Sequence, residues 1–445
     1  MRQPGEVVAL QVDYVSLELE SWGRFLGSAL VLAGIALHVF ASLILTMYGA
    51  WYVSGFITFL RTRSLQPQPS GRLERLPPVV ILVPVYNDYE LLSSLRTLLA
   101  QDYPNYRVIV VDDSDDEEFS REIKMMEQLN RDRLIHLKRG GREGLKAGAL
   151  NHAIDFIESN GLDVKYVLIL DADFDLERGM LRRYVEIAEQ YGADIVQGLQ
   201  RHSKGSHTLF GTVYRAAASG SIVNLAGRAF MNMMPIFTGS CALIRYELLR
   251  EVRFRENSIA EDWRWTIDAY LAKETLVIIA TDRVYGSGSV PKTQKAFIRQ
   301  QVRWSTGTLL EFKETLVDFL FDTRFPASTK LGYAMQGLLF TQGIWIYYET
   351  IAPFLLKYLA GVDVEWIWPI GLYVWLICFE TLVLSGALLE SYDASKLTVL
   401  AVLTIPMIYY TALIHSYGTL KALIGRGVRW RVTSKRGSYE KRYRE

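Results

Sequence analysis

Apolar residues run along this chain in two different rhythms. Residues 24–60 are almost continuously apolar, and so are 331–358, 366–389 and 397–424, whereas 78–283 alternates short β-branched runs with segments of helical period. At about 1.5 Å per residue the first stretch would reach roughly 55 Å as a helix, more than a ~30 Å hydrocarbon core needs, so one tilted or protruding span is expected. Glu6, Asp13, Glu18 and Glu20 precede it and Arg61 and Arg63 follow it, which puts its C-terminal end in the cytoplasm. Within the alternating region, 79–85, 107–111, 166–170 and 194–198 read as buried strands, with helices at 89–100, 144–158 and 180–191. The expected fold is therefore an α/β mixed sheet with helices on its faces, whose ligands sit at the carboxyl ends of the strands.

The rest of the chain reads as a membrane attachment. Residues 291–326 mix charge with aromatics and are expected to lie at the interface. The stretches 331–358 and 366–389 read as spans, with Asp363 and Glu365 in an external turn. The stretch 397–424 is interrupted by Pro406, His415 and Lys421 and is followed by a basic tail. A span there would put that tail outside, against the positive-inside bias, so an interfacial or re-entrant segment is favoured over a spanning one. The resulting divisions are an N-terminal segment with one span (1–63), a catalytic domain (78–290), interfacial helices (291–326), two spans (327–390), the ambiguous segment (391–425) and a basic cytoplasmic tail (426–445).

Composition narrows the partners. Half of the 445 residues are apolar and 22% are charged, so soluble and membrane parts coexist, and the net charge of +1 gives nucleic-acid backbones nothing to grip. Cys241 and Cys378 are too few for a disulfide framework, which suits a reducing cytosolic side. The first 22 residues lack the basic-then-apolar order of a cleavable signal.

The chemistry lies in six short segments, LVPVYND, VVDDS, LILDADFD, FTGSCALIR, AED and QQVRW. Asp171 and Asp173 end an apolar run, so two carboxylates leave the sheet together, a donor set that suits Mg²⁺ or Mn²⁺ completed by phosphate oxygens. A solvated polar turn is the plain alternative, and Asp175 reads as a supporting or helix-capping residue. Asp112 and Asp113 end another buried run and can accept from a nucleobase or ribose, with Tyr86 packing on the base and Asp88 accepting beside it. Asn87 shapes the turn. Lys146 opens a helix where an anion would also meet backbone N–H groups, or is an ordinary solvated lysine. Asp262 is the candidate general base, with Glu261 orienting it or raising its pKa, against the reading of both as acids favoured by a helix N-terminus. Gln300, Arg303 and Trp304 share a helix face, where Arg303 suits phosphate oxygens and Trp304 a sugar ring, or both anchor the helix in headgroups. Gly239 and Ser240 fit the floor of an acceptor pocket or simply start a strand. Glu349 and Glu380 lie inside apolar spans, either facing each other or a polar acceptor, or making protonated helix-packing contacts.

Taken in order, DDS, DAD, ED and QxxRW resemble the membrane-integrated inverting glycosyltransferases of family 2, the group that includes cellulose and hyaluronan synthases and dolichol-phosphate sugar transferases. The resemblance covers about residues 78–310. It implies a GT-A (Rossmann-like) catalytic domain in the cytoplasm, interfacial helices and a small transmembrane bundle in a plasma membrane or its equivalent. Tyr86, Asp88, Asp112 and Asp113 would bind the nucleotide with Lys146, and Asp171 and Asp173 the metal and diphosphate. Asp262 would be the base, with Arg303 and Trp304 at the pyrophosphate and the acceptor end. Residues 430–435, with Trp430, Thr433 and Lys435, resemble the gating loop of cellulose synthases.

Two departures from that pattern matter. Ala260 stands where a Thr is usual, and the few spans argue against a walled conduit for a long polymer. The favoured expectation is transfer of one hexose, mannose or glucose, from GDP-mannose or UDP-glucose to a lipid-linked acceptor with inversion, as in N-glycan or glycolipid assembly. A processive β-glycan synthase is the alternative, and a sugar-nucleotide sensor or channel without turnover is a remote one.

Overall fold

The computed structural model describes residues 4–69, 76–204, 208–362 and 368–425, with side chains from residue 27 onward. Asp363, Glu365 and the gating-like Trp430, Thr433 and Lys435 lie outside the described residues. Helix α1 (Pro4–Arg61) leads into β1 (Val79–Val85), α2 (Glu90–Leu99), β2 (Tyr106–Asp112), α3 (Glu117–Leu129), β3 (Leu134–Lys138), α4 (Leu145–Ser159) and β4 (Tyr166–Ile169). The second half of the sheet domain comprises α5 (Met180–Tyr191), β5 (Ile195–Lys204), α6 (Leu209–Phe230), β6 (Ala242–Arg245), α7 (Tyr246–Glu251), α8 (Glu261–Ala272) and β7 (Ile278–Ser289). The remainder is helical: α9 (Gln294–Phe321), α10 (Ala327–Gly337), a 3-10 turn at Leu339–Thr341, α11 (Gln342–Ala360), α12 (Ile370–Leu389) and α13 (Ala394–Ile424).

Strand alternation fixes the layers. Along β1, Val79, Ile81, Val83 and Val85 face one apolar layer, shared with α2, α3 and α5, while Val80 and Leu82 face the other, shared with α4, α6 and α8. Both faces are covered, which is why these runs are apolar at every position rather than at every second one. Among the described residues seven strands run in the order β3-β2-β1-β4-β6-β5-β7, and only β6 is antiparallel to its neighbours. Because the chain moves outward from β1 to β3 and returns on the other side of β1 with β4, a crevice opens between the carboxyl ends of β1 and β4. Elements β3, β7, α3, α6 and α7 carry no expectation from the pattern, and β6 is the strand that Gly239 and Ser240 could start. Strand β5 also runs on to Lys204, beyond the expected end at residue 198.

Among the described residues, three helices are long and apolar enough to cross a membrane: Gly27–Arg61 of α1, Ile370–Leu389 and Ala394–Ile424. The helix boundaries differ from two expectations. The stretch 331–358 is not one helix, because α10 ends at Gly337 and a 3-10 turn separates it from α11, whose Gln342, Glu349 and Lys357 lower its apolar character. The stretch 397–424 does not turn back on itself: α13 is one 31-residue helix that carries Pro406 without breaking. Nor do Glu349 and Glu380 face each other. Glu349 lies 2.9 Å from His38 Nδ1 and accepts from Ser42 Oγ at 2.8 Å, both on α1, while Glu380 meets Thr404 of α13.

Helix α6 joins the two halves of the molecule. It packs on α1 and α12 through small residues, so closely that a Cβ on Gly227 would lie 1.8 Å from the carbonyl oxygen of Gly55. In its first half, Arg215 and Ser219 hold Glu390, the residue that caps the end of α12. The sheet domain is thereby fixed against the membrane helices.

Candidate active site

The carboxyl end of β1 carries Tyr86, Asn87 and Asp88. Asn87 has φ +48°, a left-handed conformation that asparagine tolerates, and this turns the chain so that its backbone N–H donates to Ser114 Oγ at 2.9 Å. Tyr86 donates to Asp115 Oδ2 at 3.0 Å, and the Arg142 guanidinium sits 3.5 Å over its ring. Asp88 Oδ1 accepts from the Glu90 N–H at 3.3 Å and so helps start α2.

At the end of β2 the two aspartates part company. Asp113 is held in a two-toothed ion pair by Arg139, Nε to Oδ1 at 2.5 Å and Nη2 to Oδ2 at 2.6 Å. The same guanidinium donates to the carbonyls of Glu143 and Leu145, which shapes the turn into α4. Asp112 is fully buried and accepts from the Ser114 N–H, Ser120 Oγ, His136 Nε2 and Lys138 Nζ. Burial would raise its pKa, but the His136, Ser114 and Ser120 hydrogen bonds outweigh that and hold it well below the usual carboxylate range. Direct contact of Asp112 with a nucleotide is therefore corrected: its acceptor capacity is taken from inside, and it fixes the loop that presents Asp113.

The densest cluster lies across the crevice. Lys146, on the first turn of α4, donates to Asp171 Oδ1 at 2.6 Å and to the Gly239 carbonyl at 2.8 Å, and its Nζ lies 3.9 Å from Glu261 Oε1. Burial lowers its pKa, but Asp171 and Glu261 together more than offset that and raise it. Lys146 is thus the hub of the acidic cluster rather than a solvated lysine at a helix start. Asp171 remains accessible, its side chain 40% exposed. Asp173 lies deeper and accepts from the Ser289 N–H at 2.9 Å. Asp175 caps no helix; it pairs with Lys204 at 2.6 Å, and its backbone bridges to Ser287.

Among the described residues no group of three or more His, Cys, Asp or Glu forms a metal cage. Two carboxylates of unequal depth, one accessible, fit Mg²⁺ or Mn²⁺, which complete their shells with substrate phosphates and water.

Gly239, with φ +86°, brings the third acid to this cluster. A Cβ there would lie 2.9 Å from Asp262 Oδ2, so the bare backbone is what lets Asp262 approach the Lys146 hub. Ser240 does not reach an acceptor pocket. It is fully buried, and its Oγ accepts from the Asp171 N–H at 2.9 Å. At the start of α8, Asp262 Oδ1 accepts from the Trp263 N–H at 2.8 Å. Burial, then the charge of Glu261, push its pKa up to about 6, against Lys146 and Arg303. The Ala260 departure leaves the start of α8 intact, since the Ala260 N–H donates to Ser258 Oγ at 3.2 Å.

Asp262 and Trp304 line a cavity of about 460 Å³ that continues past Tyr52 and Trp375 to His415, between the sheet domain and the membrane helices. Arg303 Nη1 lies 3.9 Å from Glu261 Oε2, beside the acidic cluster. Gln300 Oε1 accepts from Tyr214 at 3.2 Å and lies outside the cavity lining. Its neighbour Gln301 lines the cavity instead, bonded to His415 Nε2 at 2.8 Å.

Residues 80–253 match the family described as Glycosyl transferase family 2. The chain carries a family 2 glycosyltransferase domain. Among curated relatives, glucomannan 4-beta-mannosyltransferase 1 of Oryza sativa subsp. japonica is 26% identical over 300 residues, covering 62% of this chain and 55% of that protein. Glucomannan 4-beta-mannosyltransferase 2 of Arabidopsis thaliana is 23% identical over 287 residues, covering 62% and 52%. The chain spans about half the length of the curated relatives it matches. Among solved structures, the mannosyltransferase PcManGT from Pyrobaculum calidifontis in complex with GDP-Man and Mn²⁺ is similar with a TM-score of 0.56, over 87% of this chain and 100% of that one, at 19% identity. That likeness concerns the fold, which is GT-A.

Several residues of the domain escaped the motif reading. His136 and Lys138 lie on β3, a short strand in which only Leu134 is fully buried, and Arg139 follows it. Strand β7 holds the DADFD loop: a Cβ on Gly288 would lie 2.6 Å from the Phe174 ring, and Ser287 and Ser289 bond Asp175 and Asp173. The alternating Gly and Ser at 286–289 is the signal for that contact, because glycine inside a strand marks close approach of another group.

Proposed function

We propose that this protein transfers a hexosyl group, mannosyl from GDP-mannose in the first instance, to an acceptor hydroxyl with inversion, extending a β-linked glycan. One observation carries this reading: Lys146 gathers Asp171, Glu261 and the Gly239–Asp262 contact at the carboxyl ends of the strands, and Asp262 opens onto a cavity large enough for a sugar. The donor diphosphate lies in the crevice between Lys146, Arg303 and Asp171, with its nucleoside toward Tyr86, Asp88 and Asp113. A divalent cation held by Asp171 and Asp173 would supply neutralisation of charge on the departing diphosphate. Asp262 takes the proton of the attacking hydroxyl, Glu261 keeps its affinity for that proton high, and Trp304 offers its face to the acceptor sugar.

The relatives' names support mannose and a β-linked chain over the single-hexose reading favoured from sequence. Transfer to a lipid-linked saccharide is the second reading, and the observation that favours it is the reach of the cavity past Asp262 to membrane helices α12 and α13. The catalytic domain works on the cytoplasmic side, a reading supported by the positive flank Arg61 and Arg63 at the end of α1.

The full-length protein in nanodiscs, given a panel of labelled nucleotide sugars and Mn²⁺, is expected to transfer mannose, and sizing the product separates a ladder of added sugars from a single addition. Turnover of no nucleotide sugar under any acceptor condition would overturn the reading.

A further inference from the structure

The cavity beside Asp262 is lined by three residues whose hydrogen-bond donors the transfer step does not use. Arg228, near the end of α6, is 4% exposed, and its guanidinium lies 4.2 Å over the Trp51 ring. Its Nε donates to Asn224 Oδ1 at 2.8 Å, and the Asn224 amide in turn donates to the carbonyls of Trp51 and Tyr52, so that side chain is fixed. Nη1 is buried without a hydrogen-bond partner, and among the described residues no carboxylate pairs with Arg228. Trp51 Nε1 and Trp263 Nε1 are in the same condition, on side chains 5% and 4% exposed. All three residues line the same cavity, and among the described residues Asp262 is the only acid in that lining.

A buried guanidinium keeps its charge, and leaving it without an anion is costly. A hydroxyl of a neutral sugar would satisfy an indole N–H but would not neutralise that charge. A phosphate ester answers both needs, since its oxygens only accept and it is negative. The cavity is also arranged for a ligand with two ends. Its sheet side meets Asp262, and its other side is lined by Trp375 and His415 of the membrane helices.

We infer that Arg228, with the indole N–H groups of Trp51 and Trp263, forms a phosphate subsite in the acceptor cavity. This rests on the transferase reading above and deepens it: the acceptor, or a lipid beside it, presents a phosphate ester to α6 while the sugar hydroxyl meets Asp262.

The test begins with binding, which needs no turnover. Full-length protein in phosphatidylcholine nanodiscs is titrated with dodecyl phosphate and with dodecanol, read by tryptophan fluorescence. The phosphate is expected to bind at least tenfold tighter. Arg228→Gln should bring the ratio close to one, and Arg228→Lys, which keeps a cation and much of the packing, should leave an intermediate ratio.

Two further arms separate the sources. Displacement of the probe by phosphatidic acid in the nanodisc assigns the subsite to a membrane headgroup. A lower KM for alkylphosphoryl mannose than for alkyl mannoside, without such displacement, assigns it to the acceptor. Equal binding of phosphate and alcohol by the wild-type protein, or an unchanged preference in Arg228→Gln, overturns the inference. Absent turnover with an intact phosphate preference would instead count against the transferase reading alone.

Discussion

Asp262→Asn isolates the proposed base, because the amide keeps the shape of the carboxylate, and its oxygen still accepts from the Trp263 N–H. What the substitution removes is the capacity to take a proton. A positioned general base contributes about 10²–10⁴-fold, which at ~1.4 kcal/mol per factor of ten is ~3–5.5 kcal/mol of barrier. The structure adds a pH signature. Asp262 titrates at about 6, raised by burial and then by the charge of Glu261. A base must be deprotonated, so kcat/KM is expected to fall as pH drops through about 6 and to level off above it.

Its neighbours should move that limb in opposite directions. Glu261→Gln removes a negative charge that raises the Asp262 pKa, so the limb shifts to lower pH. Lys146→Met removes a positive charge that lowers it, so the limb shifts upward. The assay is the initial rate of labelled-hexose transfer by full-length protein across the acid and neutral range. An Asp262→Asn protein within tenfold of wild type, a limb that survives in it, or two neighbour variants shifting the limb the same way would each refute the reasoning.

Three other outcomes follow from the geometry. Asp171→Asn is expected to remove the Mn²⁺ dependence of donor binding, by at least the ~10–100-fold that loss of a metal site's outer partner costs, and calorimetry with and without the metal reads it. Gly239→Ala places a Cβ 2.9 Å from Asp262 Oδ2 at φ +86°, so transfer should drop by more than the parent fold's stability does, as rate and thermal unfolding measured on one preparation would reveal. Arg139→Leu leaves the Asp113 carboxylate buried without its ion pair, at ~3–5 kcal/mol, so the unfolding temperature should fall, whereas Arg121→Leu on the exposed side of α3 should leave it nearly unchanged.

What the sequence determined by itself is local. Runs apolar at every position fixed β1, β2 and β4 as strands covered on both faces, and the aspartates that end β2 and β4 had to emerge where a parallel sheet presents its ligands. Length and composition likewise marked the apolar stretches that form α1 and α12, whereas α13 was expected at the interface. Short or half-buried elements gave weaker signals: β3 and β6 are 5 and 4 residues long, and α6 is buried nearly all round, so it shows no amphipathic stripe.

The rest was decided by tertiary structure. Sequence pattern states which face of an element is buried but not what meets it, and an ion pair depends on strand order. Asp112 and Asp113 are adjacent, yet one is consumed by β3 and the other is gripped by Arg139. Lys146 reaches a partner 25 residues away and another 93 away because β4 and the turn before β6 both end beside the first turn of α4. The uncompensated donors of Arg228, Trp51 and Trp263 become a set only when α1, α6 and α8 enclose one cavity, since burial, which gives an unpaired charge its cost, is a property of the folded whole.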